Sequence, residues 1–263
     1  MTVSSHQDAE LGIVVYNSPL DKLKKTFESI AEAQKKFARL KTVHILCNNP
    51  DRAYQEELGR LVPSYGFAFI GFRPNHGFGA AHNEIIRLVT AKWYICCNPD
   101  IEINSQTLPA LLDFGEKLPN PGLLMPKVFS IDGSIQPLAR RHITLETWLA
   151  RQLWRMFPKH FVPYEIAFDY SRTQPIEFVT GCFFAAQTSL LRTLNGFDEA
   201  FFLYAEDADL SRRSSKIAQN YYVSESYVIH HWGMAWSKSF RSFRQNISSI
   251  FRYFSKHGFS AHG

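Results

Sequence analysis

Trp93-Tyr94-Ile95-Cys96-Cys97-Asn98-Pro99-Asp100 is an unbroken apolar run that passes straight into a polar turn. An apolar run of this length without polar alternation reads as a strand buried on both faces, and Asn-Pro ends it. Strands buried on both faces belong to parallel sheets covered by helices. The same grammar recurs upstream: Leu11 to Tyr16 stops at Asn17-Ser18-Pro19, Val43 to Cys47 at Asn48-Asn49-Pro50, and Phe67 to Phe72 runs into Arg73-Pro74-Asn75-His76-Gly77-Phe78-Gly79-Ala80-Ala81-His82-Asn83. Between these runs Leu23, Phe27, Ile30 and Ala31 recur at helical spacing over residues 20–40, Gln55 to Leu61 forms a second helix, and the glycine-bearing loop opens a third through Val89. Ser105 is placed to cap a fourth. This β-α-β-α alternation predicts a doubly wound, mainly parallel sheet. Its polar turns gather at the carboxyl ends of the strands, where such sheets bind ligands.

The second half changes character. Leu123 to Phe129 with Asp132-Gly133 predicts a strand and a hairpin turn; Phe178 to Ala186 predicts another strand, followed by a short helix closed by Asn195-Gly196. Between them Leu145, Trp148, Leu149, Leu153, Met156 and Phe157 fit one helical face in a segment rich in tryptophan and arginine, an amphipathic insertion. A last helix, Ser239 to Phe254, sets Phe240, Phe243, Ile247, Ile250, Phe251 and Phe254 in one stripe. Such a stripe serves either a core or a membrane surface.

The 263 residues are 45% hydrophobic, enough for a full core. No apolar run approaches the roughly 18 residues that span a bilayer, and residues 1–12 lack a signal-peptide core, so a cytoplasmic protein is expected. Cys47, Cys96, Cys97 and Cys182 have no zinc-type spacing and read as reduced, buried hydrophobes. The net charge of +5 is uneven: from Tyr227 onward there are Lys238, Arg241, Arg244, Arg252 and Lys256 and no acid. A basic, aromatic tail points to an anionic neighbour, and an anionic membrane surface suits it better than nucleic acid, which leaves the acidic segments unexplained.

Four constellations carry chemistry. Asp100 projects from the carboxyl edge of the sheet, where a divalent ion bridging phosphates needs an anchor; Asn-Pro there is also an ordinary turn signal. Gly77 and Gly79 resemble a truncated dinucleotide fingerprint, but the third glycine is missing and the loop follows the third strand. A nucleotide-sugar cradle with Asn75 and Asn83 as hydrogen-bonding amides fits better. Gly196-Phe197-Asp198-Glu199 to Glu206-Asp207 sets carboxylates in an aromatic-lined turn before a helix; one of them is a candidate base, although acids there also complement the helix dipole and Asp209 pairs with Arg213. His230 or His231, closing an apolar strand, could complete a metal site or simply pack.

Taken in order, Val14-Val15-Tyr16-Asn17, Asn48-Asn49, Asn75 to Asn83, Asn98-Pro99-Asp100, Thr180-Gly181, the block ending in Glu206-Asp207, and His230 resemble the family-two inverting glycosyltransferases of GT-A fold, most of all bacterial rhamnosyltransferases. The resemblance implies an α/β, Rossmann-like domain over residues 1–235, with a nucleotide-sugar half at about 11–118 and an acceptor half at about 119–235, and a basic amphipathic helix over 236–263. It implies that Val15, Tyr16, Asn17 and Asn48 hold the nucleobase and that Asn75, Gly77, Gly79, Asn83 and Asn98 line the donor pocket. Asp100 and His230 would bind Mg²⁺ or Mn²⁺, Asp207 would act as base, and Glu206 would orient the acceptor or the helix start. The implied reaction moves a sugar, L-rhamnose from dTDP-rhamnose foremost, to a lipid-linked, lipopolysaccharide or capsule glycan. Galactofuranosyl or hexosyl transfer from UDP- or GDP-sugars is the neighbouring reading, and a non-catalytic nucleotide-sugar or glycan-binding module on the same fold is the alternative. Two departures stand out: Asn48 and Asn98 occupy positions where many relatives carry Asp.

Overall fold

A computed structural model describes residues 8–156, 164–231 and 240–260. The first half runs β1 (Ala9–Val15), α1 (Leu20–Lys36), β2 (Leu40–Cys47), α2 (Arg52–Ser64), β3 (Ala68–Phe72), α3 (Phe78–Leu88), β4 (Trp93–Cys97), β5 (Ile101–Ile103) and α4 (Thr107–Glu116). The second half runs β6 (Pro121–Phe129), α5 (Leu145–Met156), α6 (Tyr164–Ala167), β7 (Gln174–Pro175), β8 (Phe183–Gln187), α7 (Thr188–Thr193), α8 (Glu206–Ser215), β9 (Gln219–His230) and α9 (Phe240–His257). The described strands form one sheet in the order β3-β2-β1-β4-β8-β6-β9-β5, with β7 paired to β9. β3, β2, β1 and β4 are parallel, as the sequence predicts, and β1 and β4 are buried along their whole length.

From β8 onward the sheet is mixed. β8 runs antiparallel to β4 and to β6, whereas β6 and β9 are parallel. The antiparallel β4–β8 pair, with Cys97 opposite Phe183, puts the end of β4 and the start of β8 at the same edge. Helices cover both faces: α1 and α2 bury Leu23, Phe27, Ile30, Leu58 and Val62 in one core, and α3 buries Ile85 and Ile86 in the other. All four cysteines are free and buried, and burial pushes the Cys182 thiol up to about 12.

Several expectations are corrected. The fourth helix begins at Thr107, and the turn before it is held by Asn104, whose Oδ1 accepts from the Gln106 amide at 2.7 Å, so Ser105 is not the cap. Asp132-Gly133 makes the expected hairpin turn: Phe129 and Ile135 bridge antiparallel, and the Gln136 amide N–H donates to the Val128 carbonyl at 2.8 Å. β5 was not expected; three residues are too short to leave a periodic signal. On α9 the buried face is Ser249, Tyr253, Phe254 and His257, while Phe251 is 70% and Ile247 40% exposed. Counting aromatics missed this because His257 faces the buried Asp209 carboxylate and Tyr253 packs against His257 and Arg212. Leu145, Trp148 and Leu149 of α5 are at least 40% exposed. Phe157, Trp232 and Ser239, and the side chains of Met156, Phe240 and Phe243, lie outside the described residues.

Candidate active site

The site is assembled where β1, β2, β4 and β8 present their polar ends. A cleft of about 440 Å³ at the ends of β1 and β2 is lined by Tyr16, Asn17, Asn49, Asp51, Tyr54 and Glu57. Val15 turns its side chain into the core, and its carbonyl accepts the Asn48 amide N–H at 2.8 Å. It therefore positions Asn48 through backbone. Asn48 is 3% exposed and its Oδ1 is a buried acceptor without a partner among the described residues. A base N–H would satisfy it. Asn49 is committed to structure: its Oδ1 accepts from the Asp51 amide at 2.9 Å, and its carbonyl from the Gln55 side chain at 2.7 Å.

The glycine loop packs against the segment that leads into α8. Asn75 Oδ1 accepts the Gly77 amide N–H at 3.1 Å. Gly77 has φ +104°, and a Cβ there would lie 2.2 Å from the Phe202 carbonyl oxygen; a Cβ on Gly79 would lie 2.7 Å from Phe197. Gly77 is required by the approach of backbone and Gly79 by the packing of the Phe197 side chain. Asn83 is corrected from ligand to clasp. Its Oδ1 accepts from the Phe197 amide at 2.8 Å, and its Nδ2 donates to the Phe197 carbonyl at 2.9 Å and to Glu199 at 3.0 Å, so both amide hydrogens are used. His82 is fully buried, 2.6 Å from the Tyr94 hydroxyl, and burial lowers its pKa to about 3, leaving it neutral.

At the end of β4 the Asn98 amide N–H donates to the Cys182 carbonyl at 2.8 Å, and the Pro99 carbonyl accepts from Thr26 at 3.0 Å, fixing the turn that carries Asp100. β5 then pairs with β9 so that Ile101 faces His230, and the His231 amide N–H donates to the Asp100 carbonyl at 2.9 Å. Asp100 Oδ1 lies 3.4 Å from His230 Nε2 and is buried without a hydrogen bond. Gln136 donates its amide to the His230 carbonyl at 3.1 Å, which turns its Oε1 toward His230 Nδ1 at 3.0 Å. Gln136 thus holds Nδ1, and Nε2 is the ring nitrogen that faces the carboxylate. Two electron-pair donors converging on one point suit a divalent cation. His231 faces Glu102 at 2.6 Å, away from Asp100, which makes His230 the histidine of this pair. No cluster of three or more metal-ligating side chains exists among the described residues, so a cation there would complete its shell with phosphate and water.

The carboxylate pair sits at the start of α8. Tyr204 and Ala205 both adopt positive φ, +71° and +62°, immediately before Glu206. Two consecutive left-handed non-glycine residues are strained backbone, of the kind that collects at functional sites. Asp207 Oδ2 accepts the Gly181 amide N–H at 3.0 Å, and Oδ1 that of Ala208 at 2.9 Å. Ser211 ties the same helix to Val179: its Oγ accepts the Val179 amide at 2.9 Å and donates to the Asp207 carbonyl at 2.7 Å. Glu206 is 6% exposed and its Oε2 has no partner among the described residues. Burial, then the neighbouring Asp207 charge, pushes the Glu206 carboxyl up to about 8. Burial also raises Asp207, opposed by the Gly181 hydrogen bond and the Arg140 charge. Of the two, Glu206 is driven to hold a proton at neutral pH, while the Gly181 and Ala208 amides favour the anion of Asp207.

Behind this pair, Asp209 is fully buried, with Arg213 Nε and Lys256 Nζ each at 2.7 Å and His257 Nε2 at 2.7 Å. Only the Asp209–Arg213 pair is legible from spacing; Lys256 and His257 arrive from α9. Gln136 and Arg140 were missed as well, because isolated polar residues in an irregular stretch leave no periodic signal.

A mainly parallel sheet with a cleft, an Asp–His pair and a carboxylate pair gathered at one edge is the architecture of the GT-A class of sugar-transfer folds. The family model for Glycosyl transferase family 2 matches residues 11–194, and the chain belongs to that family. It is 30% identical over 174 residues to the N-acetylglucosaminyl-diphospho-decaprenol L-rhamnosyltransferase of Mycobacterium tuberculosis H37Rv, covering 60% of this chain and 56% of the relative. The rhamnosyltransferase WbbL of Escherichia coli K12 is 29% identical over 83 residues, 31% of each chain. The chain thus matches about half the length of the first of these relatives and a third of the other. Among solved structures, GalNAc-T7 with UDP, GalNAc and Mn²⁺ matches with TM-score 0.70 at 13% identity, covering 96% of this chain and 48% of that one. Staphylococcus aureus TarS 1–349 with UDP matches with TM-score 0.58 at 14% identity, covering 94% and 65%. These likenesses establish the fold.

Proposed function

We propose that this chain is an inverting, metal-dependent glycosyltransferase that moves L-rhamnose from dTDP-rhamnose to a hydroxyl of a lipid-linked, lipopolysaccharide or capsule glycan. The observation that carries the reading is the convergence of three parts at one sheet edge: the cleft at the ends of β1 and β2, the Asp100–His230 pair and the Glu206-Asp207 pair at the start of α8. The rhamnosyl donor and diphospholipid acceptor follow the relatives' names. UDP- or GDP-sugars are the competing donors, UDP being present in two of the structural neighbours.

An acceptor hydroxyl is a poor nucleophile at neutral pH. Asp207, held by the Gly181 and Ala208 amides, takes its proton as the oxygen attacks the anomeric carbon opposite the leaving diphosphate, which inverts that centre. Glu206, protonated, adds no second negative charge. Asp100 and His230 would hold Mg²⁺ or Mn²⁺, which supplies charge stabilisation to the departing diphosphate. Asn98 contributes no carboxylate to that ion.

Membrane association is part of the proposal. No described helix is long and apolar enough to cross a membrane. The exposed Leu145, Trp148 and Leu149 of α5 meet the chain end, where the Leu145 amide N–H donates to the Phe259 carbonyl at 3.0 Å. Exposed Phe251 and Phe259 beside Arg244 and Arg252 extend this surface, suited to anionic lipid at the inner face of the cytoplasmic membrane.

The test is calorimetric titration with dTDP, UDP and GDP, each with and without Mn²⁺, in wild type, Asp100→Ala and His230→Ala. Metal-enhanced binding of dTDP, lost in both variants, is expected. Asp207→Asn is expected to keep that binding and lose about 10²–10⁴ in transfer; near-wild-type transfer by Asp207→Asn overturns the base. Nucleotide binding without turnover on any acceptor would make the chain a binding module. Flotation with phosphatidylglycerol vesicles checks the surface, and a protein that stays unbound at low salt counts against it.

A further inference from the structure

Arg140 is a half-buried guanidinium that joins no ion pair among the described residues, and its buried Nε has no hydrogen-bond partner there. Its Cζ lies 5.6 Å from the Phe178 ring centre. Of the neighbouring arginines, Arg151 pairs with Glu165 at 2.6 Å, Arg141 lies over Tyr164 at 4.9 Å, Arg213 pairs with Asp209 at 2.7 Å, and Arg212 donates to the Ser260 carbonyl at 2.9 Å while its Nη1 has no partner among the described residues. Burial, then the charge of Arg151, opposes the charge on Arg140, and the Glu165 and Asp207 carboxylates favour it without forming an ion pair. With no ion pair and no Nε hydrogen bond of its own, the group is open to a further anion.

Its place suggests what it waits for. Arg140 bridges Phe178 antiparallel, and the Phe178 amide N–H donates to the Arg140 carbonyl at 3.2 Å. The segment that begins at Phe178 ends at Gly181, whose amide holds Asp207, so Arg140 and the base flank one short stretch of chain. On its other side, Ile143 packs with Tyr253 and Phe254, and Leu145 joins Phe259 in the apolar surface of α5 and α9.

We propose that Arg140 is a diphosphate receptor beside Asp207. The inference rests on the transferase reading above and extends it to how a phosphorylated substrate is held. A planar fork of N–H donors matches phosphate oxygens bidentately, and a diphosphate would satisfy the donors that the fold leaves unpaired. The acceptor's lipid diphosphate and the donor's nucleoside diphosphate present the same chemistry; a position between the base and the apolar face favours the acceptor's.

The experiment is titration of the full chain with farnesyl diphosphate and, separately, with dTDP and Mn²⁺, in wild type, Arg140→Gln and Arg140→Lys, alongside the Tm of each. Arg140→Gln is expected to weaken farnesyl diphosphate at least about tenfold and leave dTDP within twofold, with Arg140→Lys recovering only part. Its Tm without ligand is expected to stay close to that of wild type, because Arg140 makes no ion pair among the described residues. Weakening of dTDP alone supports the receptor and assigns it to the donor. Unchanged affinity for both, while wild type binds dTDP through Asp100, overturns the proposal and leaves the transferase reading standing; a lowered Tm with unchanged affinities marks a structural arginine and overturns it too. Wild type that binds no nucleotide overturns the reading beneath it.

Discussion

Replacing Glu206 by Gln removes one buried, unpartnered carboxyl from the start of α8 while keeping its shape. With a carboxyl that titrates near 4.5 unfolded and about 8 folded, the native state binds the extra proton between those values. Stability therefore falls as pH rises through that window, at up to about 1.4 kcal/mol per pH unit, and levels off above it. Between pH 5 and pH 8 the loss attributable to Glu206 amounts to about 3 kcal/mol. With a urea slope of roughly 3 kcal/mol/M for a chain of this size, wild type loses about 1 M in midpoint over the interval relative to Glu206→Gln. Urea unfolding followed by circular dichroism at half-unit pH steps measures it. Parallel midpoints for the two proteins from pH 5 to pH 8 would refute the claim that Glu206 is held protonated, and with it the division of labour between Glu206 and Asp207. Transfer activity adds a second readout: if Glu206 works as a neutral group at pH 7, Glu206→Gln retains most activity there, in contrast to Asp207→Asn.

Other expectations rest on separate parts of the structure. Gly77→Ala combines a positive φ with a Cβ 2.2 Å from the Phe202 carbonyl, so a destabilisation of roughly 2 kcal/mol or more is expected by thermal or urea unfolding, with loss of donor affinity as the loop shifts. Asp209→Asn leaves Lys256, His257 and Arg213 without their buried anion and is expected to cost about 3–5 kcal/mol; limited proteolysis should then cut before or within α9. The His257 and Lys256 hydrogen bonds and the Arg213 charge hold the Asp209 carboxyl at about 2 against the opposing effect of burial. Its contribution is present above about pH 4 and lost as pH falls toward 2, so the gap between wild type and Asp209→Asn should close on acidification.

The sequence by itself determined the local pieces. Apolar runs ended by Asn- and Pro-bearing turns made β1 to β4 and the helices between them legible to within a few residues, because burial on both faces and turn chemistry are written within a few adjacent positions. The ordered motifs likewise gave the family and put Asp100 and Glu206-Asp207 at strand and helix ends. Tertiary structure decided the rest. Whether His230 or His231 meets Asp100 depends on the β5–β9 register, and a shift of one residue would exchange them. Asn83 reads as a ligand until Phe197, more than a hundred positions away, takes both sides of its amide. Arg140 is one basic residue among 29 Lys and Arg until the fold sets it near Asp207 with its Nε buried and without a hydrogen bond among the described residues. The face that α9 turns inward was fixed by a carboxylate on α8, not by its count of phenylalanines. In each case the deciding energy is the desolvation of a polar group, and a polar group's partners are set by which distant segments the sheet brings to one edge.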